Sequence, residues 1–371
     1  MLKRVLTGAF ARLWRRPALT PAALLALRPR RILLVRQHNQ MGDMVCATPC
    51  FRAVRETWPA AEIALVTAPV NQQVVAHNPH LDRLFLFEQR LWRRPFALGR
   101  FLGGLRRFDA DLAIVLTSVS FSATSAFLAL WSNARHVIGG DGRPYGSRIS
   151  DAFSLQLPGS PELDRHAVDH SLAPLAAVGI TTADRSTVVV PSPAQAAEAA
   201  ALRAQLLPPG PYWALHPGAG KPQNVWPAER FAAVAAAVAA GGVPVLVLHG
   251  PADQAQLAAF RAALPVAAGS APIAIAPATS VGTGAALMAG AERMLCNDTG
   301  VMHVAGAVGT PTLALFGPTD PALWKPPGDH VVALRADHRR DDPRGAEFGW
   351  LETLDAGRVL AAWRGLGTHD H

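Results

Sequence analysis

Cysteine and lysine are scarce in this chain of 371 residues, and tyrosine occurs only twice. The three cysteines, Cys46, Cys50 and Cys296, are an odd number without CxxC spacing. That pattern points neither to a disulfide framework nor to a structural zinc site, and a reducing compartment is the default. Lysine occurs only at Lys3, Lys221 and Lys325, so the formal net charge of +8 comes almost wholly from arginine. Charged residues make up only 17% and hydrophobic ones 50%. This excludes a disordered chain and fits buried parallel sheets, whose strands read as continuous apolar runs. No zinc-finger, RNP or basic-zipper pattern accompanies the charge, so nucleic acid is not an expected partner. The N-terminus lacks a clean apolar core with a small-residue cleavage site, which argues against a secretory signal. The uncharged run 112–134 is rich in serine and threonine. It is too polar for about 20 lipid-facing residues and reads as a buried strand followed by a loop and a helix.

The arginine excess concentrates in residues 1–36 and 90–107, interleaved with Leu, Phe and Trp. Basic amphipathic segments suit an anionic membrane surface or a phosphorylated lipid, and equally a solvated helix face. The length exceeds one ordinary core and implies two domains. Apolar strand-like runs at 31–36, 62–67, 83–87 and 111–116 alternate with helical patterns, and a helix over 164–179 closes this half. After a Pro/Ala/Ser-rich stretch the pattern restarts, with strands at 212–216, 243–249, 293–297 and 311–316. Such alternation predicts parallel sheets with right-handed crossovers. The expected division is a basic extension over 1–30, Rossmann-like domains over 31–190 and 191–345, and a C-terminal helix and tail over 346–371. Ligands of such sheets bind at the carboxyl ends of the strands.

Three loops at those ends carry candidate chemistry. In RQHNQMGDMVCATP, residues 36–49, Asp43 stands where a carboxylate accepts a proton from an attacking hydroxyl. Asp also favours helix starts, so a capping role is open. In HPGAGKPQNVWP, residues 216–227, Gly218, Ala219 and Gly220 let backbone N–H groups approach a phosphate, and Lys221 adds a positive charge. The loop lacks the GxxxxGK[ST] frame, which disfavours ATP hydrolysis, and a structural turn is the alternative. In NDTGVMHVAGAVGTP, residues 297–311, Asn297, Asp298 and Thr299 suit the start of a short helix whose free N–H groups and dipole favour a diphosphate. His303 follows Thr299 by one turn. Asp253 follows a strand at a position from which acidic residues bind ribose, or from which an exposed loop aspartate does nothing specific.

Taken in order, these loops resemble those of glycosyltransferase family 9, the ADP-heptose:lipopolysaccharide heptosyltransferases. RILLVRQHNQMGDMVCATPCFRAVRETWP is similar to the family's opening strand and G-D turn, HPGAGKPQNVWPAERF to its HPGA…WPxExF signature, and CNDTGVMHVAGAVGTPTLALFGPTDP to its D-[ST]-G-x-x-H…G-T-P…FGPT block. The resemblance covers about residues 31–335. It implies an α/β chain of GT-B architecture, two facing Rossmann-like doubly wound domains with a central cleft. It further implies inverting transfer of heptose from ADP-L-glycero-D-manno-heptose to a lipid A-linked lipopolysaccharide core acceptor, without metal or cofactor. Asp43 becomes the base. Gly218, Ala219, Gly220, Lys221, Asn224, Asp253, Asp298, Thr299, Gly300 and His303 become the donor pocket. The expected location is cytoplasmic, peripheral on the inner membrane, with an anionic membrane surface as partner. One departure stands out: the family commonly has lysine two residues before Trp-Pro, where this chain has Asn224. A GT-B enzyme using another nucleotide sugar, or catalysing epimerisation, and a non-catalytic nucleotide-sugar-binding protein are the alternatives.

Overall fold

Strands form where the sequence places apolar runs that can be covered on both faces. In the computed structural model, whose described residues are 2–37, 40–116, 120–159, 164–265, 270–338 and 342–367, the chain divides into units 1–185 and 186–371. The first unit contains β1 (Arg31–Val35), β2 (Glu62–Thr67), β3 (Arg83–Leu86), β4 (Leu112–Val115), β5 (His136–Gly140) and β6 (Leu155–Leu157). All pairings are parallel, in the order β3-β2-β1-β4-β5-β6. Registers such as Leu33 beside Ala64 and Ala113 keep the central strand apolar on both sides, and Ile32 to Val35 are fully buried.

The second unit contains β7 (Trp213–His216), β8 (Val245–Val247), β9 (Ile273–Ile275), β10 (Arg293–Asn297), β11 (Thr312–Phe316) and β12 (Val331–Arg335). Its order, β12-β11-β10-β7-β8-β9, repeats the same topology, again all parallel. Each unit by itself is therefore a doubly wound Rossmann-like sheet whose strand order reverses beside its first strand, between β1 and β4 and between β7 and β10. The α/β class expected from the sequence is observed.

Several expected boundaries are refined. The uncharged run 112–134 resolves into β4 and the helix Ala123–Trp131. Among the described residues no helix is long and apolar enough to cross a membrane. The basic segment before β1 is not detached from the first unit. Its helix Leu2–Leu13 contributes buried Ala11 to the core, Trp14 stacks on Trp131 at 5.3 Å, and Leu24 is fully buried. The C-terminal helix Ala356–Arg364 inserts Trp363 into the core of the second unit, against Trp213, and is part of that unit. The three cysteines are free and buried, and burial pushes the thiols of Cys46 and Cys50 up to about 12. They have the character of core residues.

Candidate functional site

In the first unit, β1 delivers the chain to the helix Met41–Cys46, at the carboxyl end of the strand beside the switch point. The cap position belongs to Gln40, with no side-chain cap bond, and Asp43 occupies the first helical turn, partly exposed. Asp43 is therefore not the N-cap residue itself, though it does stand in the first turn of the helix. Its carboxylate sits where the helix dipole favours negative charge. Arg36 is 3% exposed and donates from Nη2 to the Asp43 carbonyl at 3.1 Å. Its Nε has no hydrogen-bond partner among the described residues. Sequence reading passed over Arg36 because an arginine closing a strand looks like an ordinary flank. His38 and Asn39 of the same loop lie outside the described residues.

In the second unit, both sequence-selected loops leave the two strands that flank the switch point. Asn297 ends β10 and is fully buried. Its Nδ2 donates to the carbonyls of Pro217 and Gly218 at 3.0 and 3.1 Å, and its Oδ1 accepts from the Trp226 N–H at 3.1 Å. One side chain thus ties together the two ends of the loop 217–226, which contains Gly218 to Lys221. The sequence reading gave Asn297 a capping role. The helix Gly300–Ala307 is instead entered at Thr299, whose side chain makes no cap bond. The first-turn amides of that helix are left uncapped by it, as an anion site requires.

Beneath the loop, Asp253 accepts from the Gly250 N–H at 2.6 Å and lies 3.1 Å from His216 Nε2, with both side chains buried. Burial works against ionisation of Asp253, but the His216 bond, the His216 charge and the Gly250 N–H outweigh it and hold the carboxyl below its ordinary range. Both donors take the same oxygen, Oδ2, while Oδ1 lies on the side of Gly218. Gly218 has a steric reason to be glycine, since a Cβ there would stand 2.0 Å from Asp253 Oδ1. Around Gly220 the space is open, and Lys221 is exposed.

Asn224 is 5% exposed and donates from Nδ2 to the Asp298 carboxylate at 3.0 Å and carbonyl at 3.2 Å. Burial raises the Asp298 carboxyl above its ordinary value, opposed by the Thr319 bond, Lys221 and Asn224. His303 is buried in the helix that begins at Gly300. The second unit therefore brings together Gly218, Asn224, Asp253, Asp298, Thr299 and Gly300, with Ala219, Gly220 and Lys221 on the outer part of the same loop. Asp43 belongs to the other unit. Among the described residues no group of three His, Cys, Asp or Glu side chains clusters as a metal site.

Comparisons with known proteins bear on the family and the fold. A family model described as glycosyltransferase family 9 (heptosyltransferase) matches residues 98–347, more than half of the chain. Lipopolysaccharide heptosyltransferase 3 of Escherichia coli is 24% identical over 331 residues, which cover 86% of this chain and 95% of that protein. Among solved structures, a family 9 glycosyl transferase from Veillonella parvula superposes with a TM-score of 0.76 at 23% identity, covering 95% of this chain and 99% of that one. ADP-heptose lps heptosyltransferase II of E. coli superposes with a TM-score of 0.72 at 20% identity, covering 91% and 98%. At these identities the structural likeness speaks to the fold.

Proposed function

The chain belongs to glycosyltransferase family 9 (heptosyltransferase), and we propose that it transfers a heptose from ADP-heptose to a lipopolysaccharide core acceptor with inversion and without a metal ion. The observation that carries this reading is the loop pair of the second unit. Asn297 fixes the Gly218–Lys221 loop beside a helix start that Thr299 leaves uncapped. Main-chain amides and the Lys221 ammonium are donors suited to the charge that develops on a departing diphosphate. The donor named by the E. coli relative, ADP-heptose, has that leaving group.

On this reading Asp43 takes the proton of the acceptor hydroxyl as its oxygen bonds to the anomeric carbon. The bond from that carbon to the diphosphate oxygen breaks in the same displacement, and ADP departs with the electron pair. Arg36, bonded to the Asp43 carbonyl, fixes the first turn that carries the base. Asp298 and His303 complete the donor pocket, and Asp253 supports the loop from below through Gly250 and His216. The acceptor's location implies work at the cytoplasmic face of the inner membrane, where a basic face attracts anionic partners.

The test is incubation with ADP-heptose and a panel of truncated core acceptors, followed by mass analysis. A gain of one heptose on one acceptor is expected. Asp43→Asn is expected to lower kcat by about 10²–10⁴-fold while ADP binding persists. Transfer from another nucleotide sugar in preference, or full activity of Asp43→Asn, would overturn the proposal.

A further inference from the structure

A cavity of about 820 Å³ lies beside the edge strand β6 of the first unit, and no role proposed above uses it. Four arginines from two separate segments line it: Arg12 and Arg15 at the end of the N-terminal helix, and Arg143 and Arg148 from the loop between β5 and β6. The helix is a fixed wall. Ala11 is buried in the core, Arg16 N–H donates to the Ala152 carbonyl at 2.9 Å, and Thr7 Oγ1 accepts from the Arg148 N–H at 3.0 Å. The loop side is oriented by its own bonds. Arg143 Nε donates to both Asp141 oxygens at 3.0 Å and its Nη2 to Gln156 at 2.8 Å, while Arg148 Nε donates to Asp151 at 2.8 Å.

Two of these guanidinium groups are already neutralised, and two are not. Among the described residues neither Arg12 nor Arg15 forms an ion pair, whereas Arg143 and Arg148 do. Four guanidinium groups against the carboxylates of Asp141 and Asp151 leave the cavity positive. Guanidinium forks match phosphate oxygens bidentately. The volume lies in the range of small-ligand sites, and a concavity with Gln156 and Ser154 in its wall offers partners for sugar hydroxyls that a bilayer surface does not need. We propose that this cavity binds a phosphate-bearing saccharide of the acceptor, at a point remote from the reacting hydroxyl. In the sheet β6 stands three strand spacings from β1, about 14 Å.

This inference rests on the acceptor reading given above, and the experiment separates the two. The probe is a soluble core oligosaccharide with its phosphates intact, compared with the same oligosaccharide after phosphatase treatment. The wild type is expected to favour the phosphorylated form. In an Arg12→Ser, Arg15→Ser variant the KM of the phosphorylated acceptor is expected to rise by about tenfold or more, so that the preference shrinks. The KM of ADP-heptose serves as the control for a folded second unit. Arg143→Gln, on the opposite wall, is expected to act in the same direction independently of the helix. An unchanged KM, or an equal rise for both acceptor forms, overturns the site. A rise seen only with acceptor embedded in anionic vesicles assigns the arginines to the lipid surface and overturns it too. If the wild type glycosylates neither form, the transfer reading fails, and direct calorimetric binding of the two oligosaccharides still decides the cavity's role.

Discussion

Asn224 Nδ2 donates to the carboxylate of Asp298 at 3.0 Å, while Asn224 Oδ1 is buried without a partner among the described residues. Where the family resemblance implies a lysine, this chain therefore offers a neutral donor to a carboxylate that burial has raised above its ordinary value. Positive charge in the pocket then falls to Lys221, which acts on Asp298 from the loop.

A raised carboxyl is a linkage statement with a definite sign. Its stabilising contribution is complete below the unfolded-state value, about 3.9, and is lost as pH rises through the higher folded-state value. Asp298→Asn removes the ionisation and keeps an oxygen that accepts from Asn224. The melting temperature of the variant minus that of the wild type is expected to increase from about pH 4 to pH 7. A difference that stays flat or falls over that window would show that Asp298 is not held against ionisation.

Arg36 and Asp43 make a second prediction. Arg36→Ala removes the bond to the Asp43 carbonyl within the first unit, whereas the nucleotide loops belong to the second. Misplacing a reacting group by about 1 Å can cost 10²-fold, so kcat is expected to fall by up to about that factor with ADP affinity preserved. Stopped-flow turnover beside calorimetric ADP binding reads the two quantities separately, and a parallel loss of both would point to general unfolding.

Gly218 and Gly220 differ in a way that only the structure reveals. A Cβ on Gly218 meets Asp253 Oδ1 at 2.0 Å, and Asp253 is held by Gly250 and His216. Overpacking of this kind costs about 1–3 kcal/mol. Gly218→Ala is expected to lower denaturant stability by that amount and to weaken ADP binding, whereas Gly220→Ala, with nothing within 4 Å of its Cβ, is expected to be near neutral in stability. Equal effects at the two positions would dismiss the packing argument.

These contrasts show how far the sequence reached. β1, β2, β3, β4, β7, β8, β10 and β11 were legible because strands of parallel sheets are short, largely apolar runs, and three of them feed the loops read for chemistry. β5, β6, β9 and β12 escaped notice. Leu155–Leu157 and Ile273–Ile275 span three residues each, and His136–Gly140 ends in two glycines, so neither length nor period marks them. The residue types in the nucleotide loops were readable from spacing. The bonds of Asn297 to residues 217, 218 and 226, and the seating of Asp253 under Gly218, depend on strand adjacency, which one sequence does not display.

The C-terminal helix shows the same limit, because its role depends on a distant tryptophan. Trp363 is fully buried, its ring 4.7 Å from that of Trp213, and Arg293 both stacks on Trp213 and donates to the Trp363 carbonyl at 2.9 Å. Trp213 opens β7, the strand that carries the Gly218–Lys221 loop, so losing its partner loosens the base on which the donor loop is built. Trp363→Ala is expected to cost about 3–5 kcal/mol, lowering the melting temperature by roughly 10 °C for a unit of this size. Trp324→Ala, at a residue 37% exposed, is the matched control and is expected to shift it little. If the two tryptophans proved equally dispensable by scanning calorimetry, the C-terminal helix would be an appendage, and the support it gives to β7 would have to come from elsewhere in the second core.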